Sequence, residues 1–361
     1  MKIQISLLQI PLAFFFITSL SAQSYRGLSV VSDEVIWISG SKGTVVRTNN
    51  GGQIWDTLNP KGYETRDFRD IHAWNKKHAI VMSSGDSAVL LETKDGGKNW
   101  KIVLSDNSKG IFWDAIDVFG DNIIMVGDES QSHPLEIYFS GKKHVFQLIK
   151  ADKIFYRDKE LLFKKAGDNI YKSFFAASGS NVKLMPDNSF LSLPVLDNKT
   201  HFIAGKVNWI SKNNLAEIAQ GGFYLTNYFD VVIPMKTGVA SGAYSFDMNN
   251  SGLGCSVGGS YLLPNHTDST SCYSNDSGMH WNLSETMPGG YRSCVAFFEN
   301  STLGFCTGTN GSDFTRDGGK NWHAFSKNGY NVCAFSTHFL WLAGNKGNWE
   351  KVEISKLKTG K

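Results

Sequence analysis

Short apolar segments recur along most of the chain and are separated by turns rich in Gly, Asn, Asp and Ser. Few of them show the period of an amphipathic helix, so the pattern is typical of β-strands. In the first unit, strands are expected over 27–31, 35–39, 44–48 and 55–58. The sequence predicts an all-β chain, with one short surface helix over 158–165.

Four segments share an eight-residue pattern, here called the hairpin motif: a hydroxyl residue, then Asp or Asn two residues later, Gly four later and Trp seven later. Its copies are Thr48, Asn50, Gly52 and Trp55; Thr93, Asp95, Gly97 and Trp100; Ser274, Asp276, Gly278 and Trp281; and Thr315, Asp317, Gly319 and Trp322. An Asp or Asn side chain bonds nearby backbone N–H groups, and Gly accepts a positive φ. The motif therefore predicts a tight turn between the third and fourth strands of a unit, with the Trp ring packed on a neighbouring sheet. The turn at Asn50, which lacks the acid, is expected to be weaker.

The units repeat at about 40–45 residues with four short strands each, which indicates the blades of a β-propeller. An aromatic-led segment opens each unit and a Gly ends the next strand, at Gly40, Gly85, Gly127, Gly205, Gly258, Gly308 and Gly344. Both landmarks predict a seven-bladed β-propeller. Six or eight blades are the alternatives, because 150–240 is irregular. The last unit shows three strands, and residues before Gly27 are expected to supply its fourth.

The first 22 residues have the order of a secretory signal peptide: a charged start, an apolar stretch and small residues before Gln23. We expect residues 1–22 to be removed and 23–361 to form a single domain. A retained membrane anchor is the alternative, although the apolar stretch is interrupted and short for a span. The expected location is the periplasm, the outer envelope or the cell exterior, with no membrane span after cleavage.

The chain carries 36 basic and 33 acidic residues, a formal net charge of +3. This balance gives no sequence-wide field that would collect nucleic acid, so no nucleic-acid partner is expected. All five cysteines lie between Cys255 and Cys333. Cys255 and Cys272 are the best candidates for a disulfide across a hairpin, but buried free thiols are the favoured interpretation.

Consecutive strands of a blade are antiparallel, so the start of each inner strand lies beside the end of the second strand. This edge of the ring, marked by Arg26, Arg69 and Arg292, is called the arginine rim. The other candidates there are Asp70, Asp86, Trp113, Asp114, Asp128, Tyr291, Asn310, Asn331 and Asn345. Converging arginines could clamp a carboxylate or phosphate. The alternative, slightly favoured, is that the aspartates neutralise the arginines and tie the inner strands together.

The hairpin motif resembles the Asp box of bacterial neuraminidase repeats, in which the box is structural. A wider resemblance rests on Asp67-Phe68-Arg69-Asp70-Ile71, Ser39-Gly40-Ser41-Lys42-Gly43-Thr44-Val45, Ala176-Ala177-Ser178-Gly179-Ser180-Asn181 and Gly290-Tyr291-Arg292-Ser293-Cys294. These segments resemble photosystem II stability/assembly factor-like propellers, including exported relatives in non-photosynthetic bacteria. The resemblance implies a scaffold or assembly role, and in photosynthetic members an arginine-rich face. The oxidoreductase label that some members carry has no support in this sequence.

A carbohydrate-active enzyme or glycan-binding propeller of sialidase-like architecture is the alternative function, because sialidases also combine Asp boxes with an arginine cluster. That chemistry needs a nucleophilic Tyr with a Glu base. Tyr291 is a conceivable nucleophile, but no Glu falls at the rim register. No metal site or cofactor is expected. We therefore expect an exported, monomeric scaffold that binds a protein, with a glycan or small anion as the alternative ligand.

Overall fold

The computed structural model describes residues 23–85, 87–129, 136–140, 147–148, 154–156, 159–161, 173–175, 177–196, 198–210 and 222–359. Their strands form seven antiparallel sheets arranged in a ring, which is a seven-bladed β-propeller. The predicted fold class and blade count are confirmed. Within the described ranges, no helix has the length and apolar character needed to cross a membrane.

Five blades have four strands in simple meander order, from an inner strand at the channel to an outer strand. Blade 1 contains Tyr25–Val30, Ile36–Gly40, Thr44–Thr48 and Asp56–Thr57; blade 2 contains Asp67–Ala73, Ala79–Ser84, Ala88–Thr93 and Lys101–Asp106; blade 3 contains Trp113–Phe119, Asn122–Gly127, Glu136–Ser140 and Gln147–Leu148; blade 5 contains Ser241–Met248, Gly254–Ser260, Ser271–Ser274 and Asn282–Leu283; and blade 6 contains Cys294–Phe297, Gly304–Gly308, Gly311–Thr315 and His323–Ser326. The strands predicted for the first unit agree with blade 1 to within two residues at every end.

Blade 4 is the irregular one. Its strands are Ser173–Phe174, Val182–Leu184, Ser189–Ser192, Pro194–Leu196, Lys199–Ile210 and Gly222–Val232. The last two form a long antiparallel pair at the outside. A separate two-stranded hairpin joins Ile154–Tyr156 to Lys159–Leu161. The helix predicted over 158–165 is therefore wrong at 159–161, where the chain pairs as a strand.

Blade 7 has three strands, Val332–Phe335, Phe339–Ala343 and Trp349–Glu353, with a 3₁₀ turn at Asn345–Gly347 and a terminal α-helix at Ile354–Thr359. Within residues 23–26, the described part of the chain before Gly27, the expected fourth strand of this sheet is not found, because Tyr25–Val30 is the inner strand of blade 1. The ends of the described chain are joined at the turn instead. Tyr25 N donates to Gly344 O (3.0 Å) and Gly347 N to Gln23 O (2.7 Å).

The core consists of apolar layers between blades, and polar side chains on the inner strands link each blade to the next. Ser29 Oγ accepts from Ala73 N (2.9 Å) and Asp117 Oδ2 from Leu184 N (2.6 Å). Asp247 Oδ2 accepts from Phe297 N (2.8 Å). These side chains accept hydrogen bonds from backbone N–H groups at the channel edge of the next sheet. A buried N–H group requires such a partner.

The hairpin motif closes on itself. In its second copy, Thr93 Oγ1 accepts from Gly97 N (2.9 Å), and Asp95 Oδ1 accepts from Thr93 Oγ1 (3.0 Å) and Asn99 N (2.9 Å). The other copies repeat these contacts, and the Gly four residues after the hydroxyl has a φ between 84° and 91° in all four copies. A β-carbon at that φ would be strained, which explains the Gly.

Each Trp of the hairpin motif packs on the preceding blade, as the pattern predicted. Trp100 Nε1 donates to Leu58 O of blade 1 (3.0 Å), and Trp322 Nε1 to Ser271 Oγ of blade 5 (3.0 Å). Trp281 lies against Phe202 of blade 4, with ring centroids 5.1 Å apart. The motif therefore fixes a turn and also an interface between blades.

Cys255 and Cys272 are both buried free thiols. Their strands are neighbours, but Cys272 pairs with Ser256 and Cys255 pairs with Tyr273. This one-residue offset directs the two thiols to opposite faces of the sheet, because successive side chains alternate. They lie in different core layers, so the disulfide candidate is wrong and the buried-thiol interpretation holds.

Candidate functional site

The strand register places the start of each inner strand beside the end of the second strand, as expected. Tyr25 pairs with Gly40, Trp113 with Gly127 and Ala243 with Gly258. The hairpin motifs lie at the opposite edge, because they join the third strand to the fourth. The arginine rim and the hairpin motifs thus occupy opposite faces of the ring.

Inner strands carry a bulged residue near their first pair. Arg26 is skipped between Tyr25 and Gly27, and Arg69 between Phe68 and Asp70. In blades 3 and 5 the skipped residues are Asp114 and Tyr244. Bulges redirect a side chain from the regular alternation. Arg26 and Arg69 consequently occupy equivalent, half-buried positions in adjacent blades.

Arg292 is not equivalent to Arg26. A side chain at Gly40 would meet the Cα of Tyr25 at 3.1 Å, whereas one at Gly308 would meet the Cα of Arg292 at 3.0 Å. Arg292 therefore occupies the position in blade 6 that Tyr25 occupies in blade 1. The landmarks of the sequence align it with Arg26, one position later in the strand. Trp113 takes the same earlier place, since it pairs with Gly127. Both side chains are buried.

Arg292 is held by an interior network. Its Nε donates to Asp313 Oδ2 (2.6 Å), and its Nη1 donates to Tyr291 O (2.8 Å) and Asn310 Oδ1 (2.8 Å). The residue is only 2% exposed. Asp313, on the strand Gly311–Thr315, was not among the predicted site residues. A guanidinium neutralised in this way is part of the structure and does not face a ligand.

Arg26 and Arg69 share one carboxylate. Arg26 Nε lies 3.5 Å from Asp67 Oδ1, and Arg69 Nε lies 3.5 Å from Asp67 Oδ2. The Arg69 guanidinium also lies over the Phe112 ring, 4.9 Å from its centroid. Asp67 was missed as a site residue, although it directly precedes the Phe68-Arg69 landmark. Both arginine side chains retain exposed surface, 31% and 20%.

Two aspartates of blade 3 face Arg69. Burial raises the pKa of Asp114 well above its usual value and the neighbouring charge of Asp128 raises it further. Burial also raises the pKa of Asp128 to about 6, although Phe174 N donates to its Oδ1 at 2.7 Å. Asp114 therefore keeps its proton to a higher pH than an exposed aspartate does. Below about pH 6 the group around Arg69 gains one positive charge as Asp128 takes up a proton.

Asp70 acts as an inter-blade link. Its Oδ1 accepts from Ile71 N (2.8 Å) and its Oδ2 from Ile116 N of blade 3 (2.9 Å). Gly179 of blade 4, with a φ of 69°, lies directly against this carboxyl group. The segment around Gly179 therefore reaches across the channel, where Ser178 Oγ donates to Ser293 O of blade 6 (2.8 Å).

Aromatic rings from the starts of blades 5 and 6 pack together in the interior, where Tyr244 and Tyr291 are each 4% exposed. The Tyr244 and Tyr291 rings meet edge to face at 4.9 Å, and Phe175 lies 4.8 Å from Tyr244. Burial raises the pKa of Tyr291, while Arg26 and Arg69 both lower it. Tyr291 therefore lies within electrostatic reach of the arginine pair.

The remaining predicted residues are accounted for by other contacts. Asn331 Nδ2 donates to Tyr25 O (2.7 Å), and Asn345 Oδ1 accepts from Ser24 Oγ (2.7 Å), so both close the ring. Asn310 Nδ2 donates to Pro264 O (2.6 Å). Asp86 lies outside the described residues.

The described residues hold no group of three or more His, Cys, Asp or Glu side chains arranged for a metal ion. What the arginine rim offers is two neighbouring, partly exposed guanidinium groups and one shared carboxylate. Such a site suits an anionic group such as a carboxylate.

Comparison with known proteins supports the architecture. No family model matches the sequence, and no curated protein matches it. Among solved structures, YCF48 bound to D1 peptide matches with a TM-score of 0.58 and 13% identity over 92% of this chain and 93% of that one. YCF48 from Cyanidioschyzon merolae matches with a TM-score of 0.58 and 14% identity over 92% and 96%. A chain of the mitotic checkpoint complex matches with a TM-score of 0.57 and 10% identity over 98% of each. At these identities the likeness establishes the propeller fold alone.

Proposed function

We propose that this protein is an exported binding scaffold that assists the assembly or stability of an envelope or secreted protein. It would capture an acidic segment of that partner at Arg26 and Arg69. The observation that carries the proposal is the sharing of one carboxylate, Asp67, by two arginines from adjacent blades. Both guanidinium groups keep exposed surface beside that carboxylate, so an incoming carboxylate can reach them.

The fold comparison supports the same proposal, because one similar structure is of YCF48 with a bound peptide. The propeller fold by itself is shared by many functions, so the residues of the rim have to carry the argument. Export rests on the signal-like residues 1–22 of the sequence.

The test is capture from the native envelope with immobilised wild-type protein and the double variant R26A/R69A. The matched control, K94A/K98A, removes two positive charges from the hairpin-motif face. We expect a stoichiometric partner to be retained by wild type and control and lost with R26A/R69A, while the melting transition of each variant stays cooperative. Retention of the same partner by R26A/R69A would contradict the proposal.

The glycan alternative is less well supported, because Arg292 cannot join a three-arginine cluster while it is buried against Asp313. Turnover of aryl glycosides or sialosides by wild type, abolished in Tyr291→Phe, would favour that alternative.

A further inference from the structure

An exposed apolar segment lies on the same face as the arginine rim, in the loop that follows the second strand of blade 5. Tyr261, Leu262 and Leu263 are three consecutive residues that are 53%, 66% and 52% exposed. Val239, in the connection that enters blade 5, is fully exposed. Consecutive exposed apolar residues on a folded surface mark sites of interaction.

The segment is held in place. Pro264 O accepts from Tyr291 N (2.8 Å) and from Asn310 Nδ2 (2.6 Å). Within the loop, Leu263 N donates to Ser260 O (3.2 Å) and His266 N to Leu263 O (3.0 Å). The apolar side chains are thus presented on fixed backbone, which lowers the entropic cost of binding.

The same contacts tie the segment to the arginine rim. Asn310 also accepts from Arg292, so the buried pair of Arg292 and Asp313 positions the loop. A side chain at Gly259, just before the loop, would meet the Cα of Tyr291 at 3.3 Å, so the loop lies against the start of blade 6. Arg26 and Arg69 lie at the starts of the inner strands of blades 1 and 2, which is the same edge of the ring. Apolar and cationic parts therefore lie on one face of the propeller.

We propose that Tyr261, Leu262 and Leu263 form a docking site for an extended polypeptide segment. Its aliphatic side chains lie on the leucines, and a carboxylate elsewhere along the segment meets Arg26 and Arg69. Aromatic, aliphatic and arginine side chains are the composition of a protein-binding surface. A membrane surface would call for several free lysines or arginines beside the leucines, whereas Lys236 of the adjoining connection is paired with Asp268 at 3.0 Å. This inference rests on the proposed function and specifies its partner.

The experiment uses a phage-displayed library of random dodecapeptides selected on the wild-type protein. Enriched peptides are synthesised and their affinity is measured against L262S/L263S, R26A/R69A and the control I54S. Ile54 is 67% exposed on the hairpin-motif face, so it matches Leu262 in exposure. Because these leucines are exposed, L262S/L263S is expected to melt like wild type.

We expect peptides that combine aliphatic residues with Asp or Glu, binding at least tenfold more weakly to L262S/L263S and to R26A/R69A but unchanged to I54S. Weakening by R26A/R69A alone would overturn the docking site and leave the proposed function standing. Weakening by neither, or no enrichment, would overturn both. Flotation with anionic phosphatidylglycerol vesicles that is lost in L262S/L263S would also overturn the docking site, because it assigns the leucines to a membrane.

Discussion

Arg292, just before the inner strand of blade 6, and Asp313, on the third strand of that blade, form a buried ion pair with side chains 3% and 4% exposed. The pair anchors Asn310, and through it the loop that carries Leu262 and Leu263. An arginine that the sequence aligned with two rim arginines therefore belongs to the interior of the blade.

Replacing Asp313 with Ala should destabilise the protein by about 3–5 kcal/mol, because it leaves the Arg292 charge buried without a partner. The double variant R292M/D313L should lose less than either single variant, since it removes both charges. Urea denaturation measures each free energy of unfolding. A single variant as stable as wild type would contradict the buried-pair description.

The rim arginines should behave differently from Arg292. R26A/R69A should unfold in one cooperative transition with a small loss of stability, because both side chains are partly exposed and their pairing distances are long. R69A/R292A should be much less stable than R26A/R69A. Thermal melting followed by circular dichroism compares the two pairs directly.

The first hairpin motif should be improved by N50D/I54N. Asn50 Oδ1 already accepts from Thr48 Oγ1 and Ile54 N (both 2.9 Å), as the acid does in other copies. What is missing is the side-chain bond that Asn99 donates to Asp95 Oδ2 (2.7 Å), because Ile54 has no donor. We expect the double variant to gain about 0.5–1.5 kcal/mol. N50D alone should gain less, and equal gains would show that position 54 contributes nothing.

Stability should fall as pH rises from about 4 to about 6. Burial raises the pKa of Asp117 and Asp128 to about 6 in the folded protein, from 3.8. The folded state then binds more protons than the unfolded state over this window, so the stabilisation present below pH 3.8 is lost as pH rises through 6. D128N should show a shallower decline, since the amide oxygen still accepts from Phe174 N. Urea titrations at pH 4 and 6.5 test this, with D121N at an exposed turn as control; parallel declines in wild type and D128N would contradict it.

The opposite change should occur at lower pH. Hydrogen bonds from Asn99 lower the pKa of Asp95 to about 2, and those from His280 lower that of Asp276 to about 2. Their contribution is present above about pH 4 and is lost as pH falls to 2. D95N should therefore be less sensitive than wild type between pH 4 and 2, measured by thermal melting at each pH.

All five cysteines should stay unreactive to a bulky thiol reagent until the protein unfolds, because all are buried. In non-reducing mass analysis, Cys255 and Cys272 should remain unlinked after exposure to oxidised glutathione. A Cys255–Cys272 crosslink would mean that the register between their strands differs from the one described.

Much of the fold is local and could be predicted from the sequence. Thr93, Asp95 and Gly97 specify their turn with contacts inside eight residues, and Trp100 needs only a neighbouring blade to pack on. The alternation of strands and the repeat of landmark glycines then define seven blades. None of these features requires knowledge of distant residues, because backbone conformation and hydrogen bonds within a hairpin determine them.

The candidate site was predicted less completely. The sequence correctly placed Arg26 and Arg69 on one edge, since strand direction alone determines that. It misaligned Arg292 by one residue, because a bulge changes which side of the strand a residue faces and leaves no clear trace in composition. Asp67 and Asp313 are the acids that decide which arginines are neutralised. Only their contacts in the structure identify them.

The sequence by itself thus determined the all-β class, the blade count and the hairpin motifs, because each depends on interactions between residues close along the chain. Tertiary structure decided which charges are buried in pairs and how Gln23 and Tyr25 close the ring against Gly347 and Gly344. It also decided that Leu262 stands exposed in a loop held by the bond from Tyr291 N to Pro264 O. Those outcomes depend on strand register and on neighbours far apart in the chain, where a shift of one residue reverses what a side chain faces.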